Sequence, residues 1–299
     1  MTLEDFLDPL ISALLLAGIY AAMSAGMTII YGVMKIVNLA HAGFLMMGAY
    51  FAYELFERFH IDPIVGAVLA LPVFFLFGIA VDWLLVRWLP KSDQPTLASL
   101  LLMFGFWLVL QNIAFLIWNN EDRSITTSYT LTSYHFGDIA ISKVRLAVFI
   151  AAAISVIVLQ IALKRSWFGK AIRALIQNPQ AAKINGVDEQ RTAMITFGLG
   201  TALAGFAGAL LAMLYSFSPD FGRPFLLRSF VIIVLGGLES FSGVAIGALI
   251  LALVETYSIR IPNVEASYQP AISYGLLVVV LLLLPKGIAG LLEKKWRTG

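Results

Sequence analysis

The feature that most constrains this chain is a series of uncharged apolar segments, several of them long enough to cross a lipid bilayer as helices. A membrane-spanning helix needs about 20 apolar residues, because each residue adds about 1.5 Å and the hydrocarbon layer is about 30 Å thick. The segments are Leu10–Val33, Ala42–Tyr53, Ile64–Val81, Leu97–Trp118, Leu146–Leu163, Thr192–Phe217, Gly243–Val254 and Ile272–Leu284. They predict a bundle that crosses the membrane repeatedly and exclude a soluble enzyme with a single anchor.

A shorter apolar segment, Ser229–Leu238, follows Arg228 and could be either a ninth crossing or a re-entrant half-helix. Periodicity does not separate the two, since a helix buried on all sides is apolar all round. An even number of crossings must lie between the two basic segments described next, and the longer runs there supply an odd number. We therefore let this segment cross and expect an all-α, polytopic transmembrane bundle of about eight or nine spans.

Basic residues concentrate in two connections, Lys164–Arg191 and the tail from Lys286 onward. Loops rich in Lys and Arg stay on the cytoplasmic side of a membrane. We therefore expect both segments, and with them the C-terminus, in the cytoplasm. Alternating crossings then place Asn119–Ser142 and the acidic N-terminus outside.

Composition narrows the chemistry further. The chain is 60% hydrophobic and 13% charged, as in membrane proteins, and its net charge of +2 does not suggest a nucleic-acid partner. It has no cysteine, and its three histidines lack metal-ligand spacing. Gly169-Lys170 lacks the residues that complete a phosphate-binding loop. We expect no cofactor, no metal, no catalytic residues and no ATPase site.

Small residues and two similar stretches suggest an internal repeat. Residues four apart form a flat small-residue face in the first and the sixth long segment, namely Gly18, Ala22 and Gly26, and Gly200, Ala204 and Gly208. Such faces let membrane helices pack closely. Leu39–Tyr50 also resembles Leu238–Leu249, and duplicated halves are common in transporters. The alternative is that small residues recur in any membrane bundle.

The basic connection contains a short helix with clear ends. Asn178-Pro179 is a typical helix start, and Gly186 is a typical end about two turns later. Residues 180–186 (QAAKING) resemble the EAA loop of ABC importer permeases. With Gly169–Ala174, Val37–Gly43, Gly48–Tyr50, and Val234–Leu238 followed by Gly243 and Gly247, the chain resembles LivH-type permeases of branched-chain amino acid ABC transporters over nearly its whole length.

This resemblance implies a single permease domain over residues 1–299, with a cytoplasmic coupling loop at 164–191, in a bacterial inner membrane. It implies a second, LivM-like permease, two LivG/LivF-like ATPases, an external substrate-binding protein and alternating access, with the lipid bilayer as surroundings. The substrates would be leucine, isoleucine and valine, or the urea and amides of close relatives. The residues implied to contact the ATPase are Asn178, Gln180, Ala181, Ala182 and Gly186. Gln180 departs from the Glu of the general motif.

Few polar side chains lie within or beside the spans, and buried ones in membranes usually face a cavity or a partner. The candidates for the translocation pathway are Asn38, His41, Glu239 and Ser240, which lie in the two similar stretches. The alternative is a structural role, in which His41 forms a hydrogen bond to backbone and Gln111 and Asn112 form hydrogen bonds between helices. An ion-coupled secondary transporter would need carboxylates inside its spans, and only Glu239 and Glu255 qualify.

Overall fold

The computed structural model describes residues 3–91, 95–136, 139–260, 265, 268–283, 287, 288 and 290, and within these the chain is almost entirely helical. The helices are α1 Leu3–Met34, α2 His41–Phe59, α3 Pro63–Leu84, α4 Pro95–Trp118, α5 Lys143–Arg165, α6 Trp167–Gln177, α7 Pro179–Ile184, α8 Glu189–Leu211, α9 Gly222–Gly236, α10 Phe241–Ser258 and α11 Gln269–Leu283, with a 3-10 helix at Val86–Lys91. Strands β1 (Ser133–Phe136) and β2 (Ile139–Ser142) form an antiparallel hairpin.

The helices confirm an all-α, multi-pass bundle. Among the described residues, α1, α3, α4, α5, α8 and α10 are long and apolar enough to cross a membrane. Three further helices, α2, α9 and α11, lie where sequence analysis placed the remaining spans. Several predicted spans differ from the helices at their ends: α2 continues past Tyr53 to Phe59, and the span predicted at Thr192–Phe217 ends earlier. Helix α8 stops at Leu211, and Phe217 lies in the connection after it, where its N–H donates to the Arg123 carbonyl at 2.8 Å.

Helix α9 begins earlier than the apolar segment Ser229–Leu238 predicted. It starts at Gly222, and its second turn contains Arg228. A charge inside a helix bundle is costly unless it is paired, and Arg228 is paired with Glu255 of α10 at 2.9 Å. Hydropathy alone therefore placed the start of this helix too late.

Contacts between the helix ends sort into two groups, as crossings of alternating direction require. At one end of the bundle, Arg260 lies 3.2 Å from Asp8 and the Tyr129 hydroxyl donates to Asp62 at 2.8 Å. Burial, reinforced by this bond, raises the pKa of Tyr129 to about 12, so the phenol remains a donor. At the other end, Lys35 after α1 is paired with Glu239 before α10. This grouping is consistent with nine crossings among the described helices.

The two predicted small-residue faces are buried packing surfaces. A Cβ added at Gly26 of α1 would lie 2.5 Å from the Gly200 carbonyl oxygen of α8, so the two backbones are almost in contact there. At Gly208, further along α8, a Cβ would lie 1.9 Å from the carbonyl oxygen of Leu45 in α2. Ala22 and Ala204 are fully buried. The two faces meet each other at Gly26 and Gly200, whereas Gly208 packs on α2 and Gly18 packs on Phe149 of α5.

Two helices begin inside the bundle rather than at its ends. His41, the first residue of α2, places Nε2 2.9 Å from the Met23 carbonyl oxygen, well within α1. Gly222, the first residue of α9, approaches the next residue of α2 so closely that a Cβ would lie 1.9 Å from the Ala42 carbonyl oxygen. The starts of α2 and α9 therefore meet in the interior, which agrees with the broken helices expected of transporters.

Candidate functional site

The basic connection forms two short helices at the end of α5. Helix α6 is amphipathic: Ile172 and Leu175 are buried, whereas Lys170 is exposed. Its start is tight, because the Ser166 hydroxyl accepts from the Gly169 N–H at 2.9 Å, and a Cβ at Gly169 would lie 2.1 Å from the Leu163 carbonyl oxygen. These two contacts fix the start of α6 at the end of α5, and they thereby give the following helix α7 a defined position on the bundle.

Helix α7 has the ends that the sequence predicts. Asn178 Oδ1 accepts from the Ala181 N–H at 3.0 Å, and Pro179 occupies the first helical position. At the other end Gly186 has φ of 84°, which favours glycine. The N–H of Val187 reaches the Ala182 carbonyl at 3.0 Å, so that the helix ends in a Schellman turn. The element is short and firmly terminated.

The coupling residues predicted from the sequence divide between two faces of this helix. Asn178, Gln180, Ala181 and Gly186 are exposed, whereas Ala182 is buried within its own chain. Ile184 is 87% exposed and so offers an apolar surface on the face that carries Ala181. A partner would therefore contact the Ala181 and Ile184 side, while Ala182 holds the helix on the bundle.

The predicted pathway residues lie in two places. Asn38 and His41 are buried at the start of α2, and the Asn38 amide and His41 Nδ1 have no hydrogen-bond partner among the residues that the structure describes. Glu239 is about half exposed and is paired with Lys35, whereas the Ser240 hydroxyl caps α10 by accepting from the Gly243 N–H at 3.1 Å. Lys35 links the connection before α2 to the connection before α10. The structure records no direct contact of Asn38 or His41 with Glu239 or Ser240.

A buried polar cluster lies towards the opposite end of the bundle from Glu239, and sequence analysis named only part of it. Glu255 of α10 accepts from Tyr20 of α1 at 2.5 Å and from Arg228 Nε of α9 at 2.9 Å. The Ser273 hydroxyl of α11 is 2.6 Å from the same carboxylate. Four helices thus converge on one carboxylate with 2% side-chain exposure. The signal in the sequence was an Arg and a Glu within apolar segments, but their pairing required the fold.

An open cavity of about 440 Å³ lies against this cluster. Tyr20, Arg228 and Glu255 form its polar wall, and the connection between α8 and α9 contributes Ser216 and Asp220, both exposed. Leu16, Phe221, Pro224 and Phe225 supply apolar surface. The cavity is large enough for a small organic molecule and combines charged groups of both signs with an apolar wall.

In the described part of the chain, no three His, Asp or Glu side chains form a group that could hold a metal ion. The polar groups present can bind, orient and exchange hydrogen bonds with a small charged molecule. The cavity and helix α7 are therefore the two candidate sites, one for a small ligand and one for a protein partner.

Comparison with known proteins gives a consistent result. Residues 10–284 match the family model described as "Branched-chain amino acid transport system / permease component". The LivH high-affinity branched-chain amino acid transport system permease of Salmonella typhimurium is 28% identical over 296 residues, covering 95% of this chain and 96% of that protein. BraD of Pseudomonas aeruginosa is 27% identical over 298 residues, with the same coverage. No solved structure matches the chain.

Proposed function

Because the chain belongs to the family of permease components of branched-chain amino acid transport systems, we propose that it forms one half of the membrane channel of an ABC importer for these amino acids. The observation that carries this proposal is the family match over nearly the entire bundle, together with the capped helix α7 on its surface. The permease is a single domain over residues 1–299 and moves substrate without hydrolysing ATP itself.

The proposed assembly contains a second, LivM-like permease, two LivG- and LivF-like ATPases and an external substrate-binding protein. A channel of this kind needs separate ATPases because it has no phosphate-binding loop. It also needs a rigid contact through which they act. Helix α7, with its cap at Asn178 and its turn at Gly186, supports this role, and its exposed Ile184 supplies an apolar contact.

We propose that this contact faces the cytoplasm, and that the C-terminal tail from Lys286, of which the structure describes only residues 287, 288 and 290, does so too. The basic residues around α6 and α7 support this orientation. The pathway assignment of Asn38, His41, Glu239 and Ser240 remains a proposal. The unpartnered Asn38 amide supports a polar path near the start of α2.

An ion-coupled transporter is the weaker candidate. Its coupling carboxylates would have to change protonation inside the bundle. Glu255 is instead surrounded by donors, including the Arg228 guanidinium, and Glu239 is paired with Lys35 at an exposed position. Each candidate carboxylate is thus already paired with a cationic side chain of this chain.

The coupling role is tested in the reconstituted complex by Gly186→Val and Ala181→Trp. Valine at a φ of 84° costs about 1 to 2 kcal/mol and should displace the end of α7. Tryptophan on the exposed face should obstruct a fitted contact by about 1 to 3 kcal/mol. We expect ATP hydrolysis to lose its stimulation by the loaded binding protein and uptake to fall, with normal permease abundance.

Matched controls are Gly105→Val, at a glycine with open space around it, and Ala162→Trp, on an exposed face of α5. Both should leave stimulation unchanged. Normal stimulated hydrolysis in Gly186→Val and Ala181→Trp would refute the coupling role and leave the loop as a topological anchor only.

A further inference from the structure

We propose that the cavity beside Arg228 receives the α-carboxylate of an amino acid with an apolar side chain, and that Arg228 is the group that recognises it. This inference rests on the proposed function and specifies the chemistry that the channel selects. The cavity is reached from the connection between α8 and α9, on the opposite end of the bundle from Glu239. Substrate leaving an external binding protein would meet it before the bundle interior.

The hydrogen bonds of Arg228 leave most of its donors available. Within the described residues, only Nε donates, to Glu255 at 2.9 Å, and the guanidinium also lies 5.5 Å from the ring centre of Phe225. An arginine has five N–H donors, and its terminal pair matches a carboxylate in a two-bond geometry. Arg228 therefore keeps its terminal nitrogens for a ligand while Glu255 fixes its orientation.

Glu255 is not the ligand-binding group, because its oxygens are already engaged. Oε2 accepts from Tyr20 at 2.5 Å, and Oε1 lies within 2.9 Å of both Arg228 and Ser273. These donors hold the carboxylate in one orientation, so that it acts as a positioning residue. It also lowers the cost of keeping the Arg228 charge inside the bundle.

The rest of the cavity fits the remaining parts of an amino acid. Asp220 is half exposed at the cavity wall, where Gln111 donates to Oδ1 at 3.0 Å and Arg223 lies 3.8 Å from Oδ2, and its remaining lone pairs can accept from an ammonium group. Leu16, Pro224 and Phe225 offer apolar surface to an aliphatic side chain. Urea and simple amides carry no carboxylate, and they would leave the Arg228 charge unmatched. The site therefore favours amino acids over amides as substrates.

A single cysteine provides a direct test, because the chain contains none. Ser216→Cys places a thiol at the exposed cavity wall. In the reconstituted complex, the rates of its modification by anionic sulfonatoethyl methanethiosulfonate and by the cationic trimethylammonioethyl reagent are compared, each corrected for a free thiol. The lining carries Arg228 against the carboxylates of Glu255 and Asp220, so the informative quantity is the change in the ratio of the two rates when Arg228 is replaced. L-Leucine should slow the reaction, whereas L-leucinamide should not.

Removing the arginine should change both measurements. In Ser216→Cys with Arg228→Gln, the ratio of the two rates should shift about tenfold towards the cationic reagent, and the protection by leucine should be lost. Arg228→Lys keeps the charge without the two-pronged guanidinium, so the rate ratio should remain while protection weakens. Ser128→Cys, exposed on the outer connection and away from the cavity, should show no protection in any background. The wild-type complex, in which this chain has no cysteine, is the control for labelling of partner chains.

The outcomes separate this inference from the proposed function. Uptake of L-leucine by the wild-type complex is measured first, and its absence would contradict the proposed substrate. If leucine is carried but protects Arg228→Gln or Arg228→Lys as well as it protects the parent, the carboxylate contact is refuted while the function stands. Equal protection by leucinamide would refute it too. Should Arg228→Gln fail to assemble, Arg228→Lys decides alone.

Discussion

Helices α8 and α4 have nearly the same length, yet they occupy opposite environments. Over the 18 most apolar consecutive residues of each helix, 83% are buried inside the chain in α8, against 17% in α4. The buried helix carries glycines, alanines and threonines, and it is the less apolar of the two. The exposed helix presents large side chains such as Leu101, Leu108 and Leu116. The more apolar helix is thus the one exposed on the surface of the chain.

This inversion follows from the solvent. Lipid is as apolar as leucine, so burying a large apolar side chain gains little inside a membrane protein. Close packing of backbones does stabilise the bundle, and it requires small residues. The contacts of Gly200 with Gly26, and of Gly208 with Leu45, are of this kind. The role of a helix here is therefore read from the sizes of its residues rather than from hydropathy.

The largest expected effect comes from Gly208→Leu. Its side chain would have to enter the space of the Leu45 carbonyl, which is backbone and cannot rotate away. The cost should exceed about 3 kcal/mol, the upper part of the usual range for overpacking. We expect almost no folded permease, measured as monodisperse protein after detergent extraction. Gly105→Leu on α4, where no atom lies within 4 Å, is the control and should give normal yield.

An intermediate effect is expected from Ala204→Leu in the centre of the α8 small-residue face. Ala204 is fully buried, so added volume should separate α8 from its neighbours at about 1 to 3 kcal/mol. Thermal stability of the purified permease should fall measurably. Ala162→Leu on the exposed side of α5 should leave it unchanged. Equal stability of both variants would mean that α8 is not the packing centre.

The smallest effect is expected from Leu116→Ala on α4, whose side chain is 84% exposed. Against lipid, the loss should change the stability of the permease by less than about 0.5 kcal/mol. Co-purification with the second permease is the informative measurement. Normal recovery of the second permease means that this face of α4 contacts lipid. Loss of the second permease would show that α4 forms the interface with it, and the comparison of α8 with α4 would then hold only for the isolated chain.

Much of the bundle could be predicted from the sequence because hydropathy is a local property. The starts of α3 and α10 and both ends of α7 follow from Asp62, Ser240, Asn178 and Gly186, whose capping roles depend on neighbouring residues alone. Helix α2 extends beyond its predicted end at Tyr53 because an ion pair between Glu54 and Arg58 continues it past the apolar run.

What escaped prediction depends on contacts between distant segments. Arg228 and Glu255 each appear as an isolated charge in an apolar stretch, and only the packing of α1, α9, α10 and α11 reveals one cluster with Tyr20. Ala182 likewise looked like a surface residue, since its burial against its own chain depends on how α6 and α7 fold back. Long-range pairing carries no signature at one position of a sequence.

The short length of α9 has an electrical consequence. Its 15 residues rise by about 22 Å, less than the roughly 30 Å of a hydrocarbon layer. With the orientation proposed above, the connection before it, in which Tyr215, Ser216 and Asp220 are exposed, would lie within the outer leaflet, and the membrane voltage would fall across a thinner insulating layer. Moving one net charge through 100 mV requires about 2.3 kcal/mol. A zwitterion, as proposed for the substrate, carries no net charge, so its import would do no net electrical work.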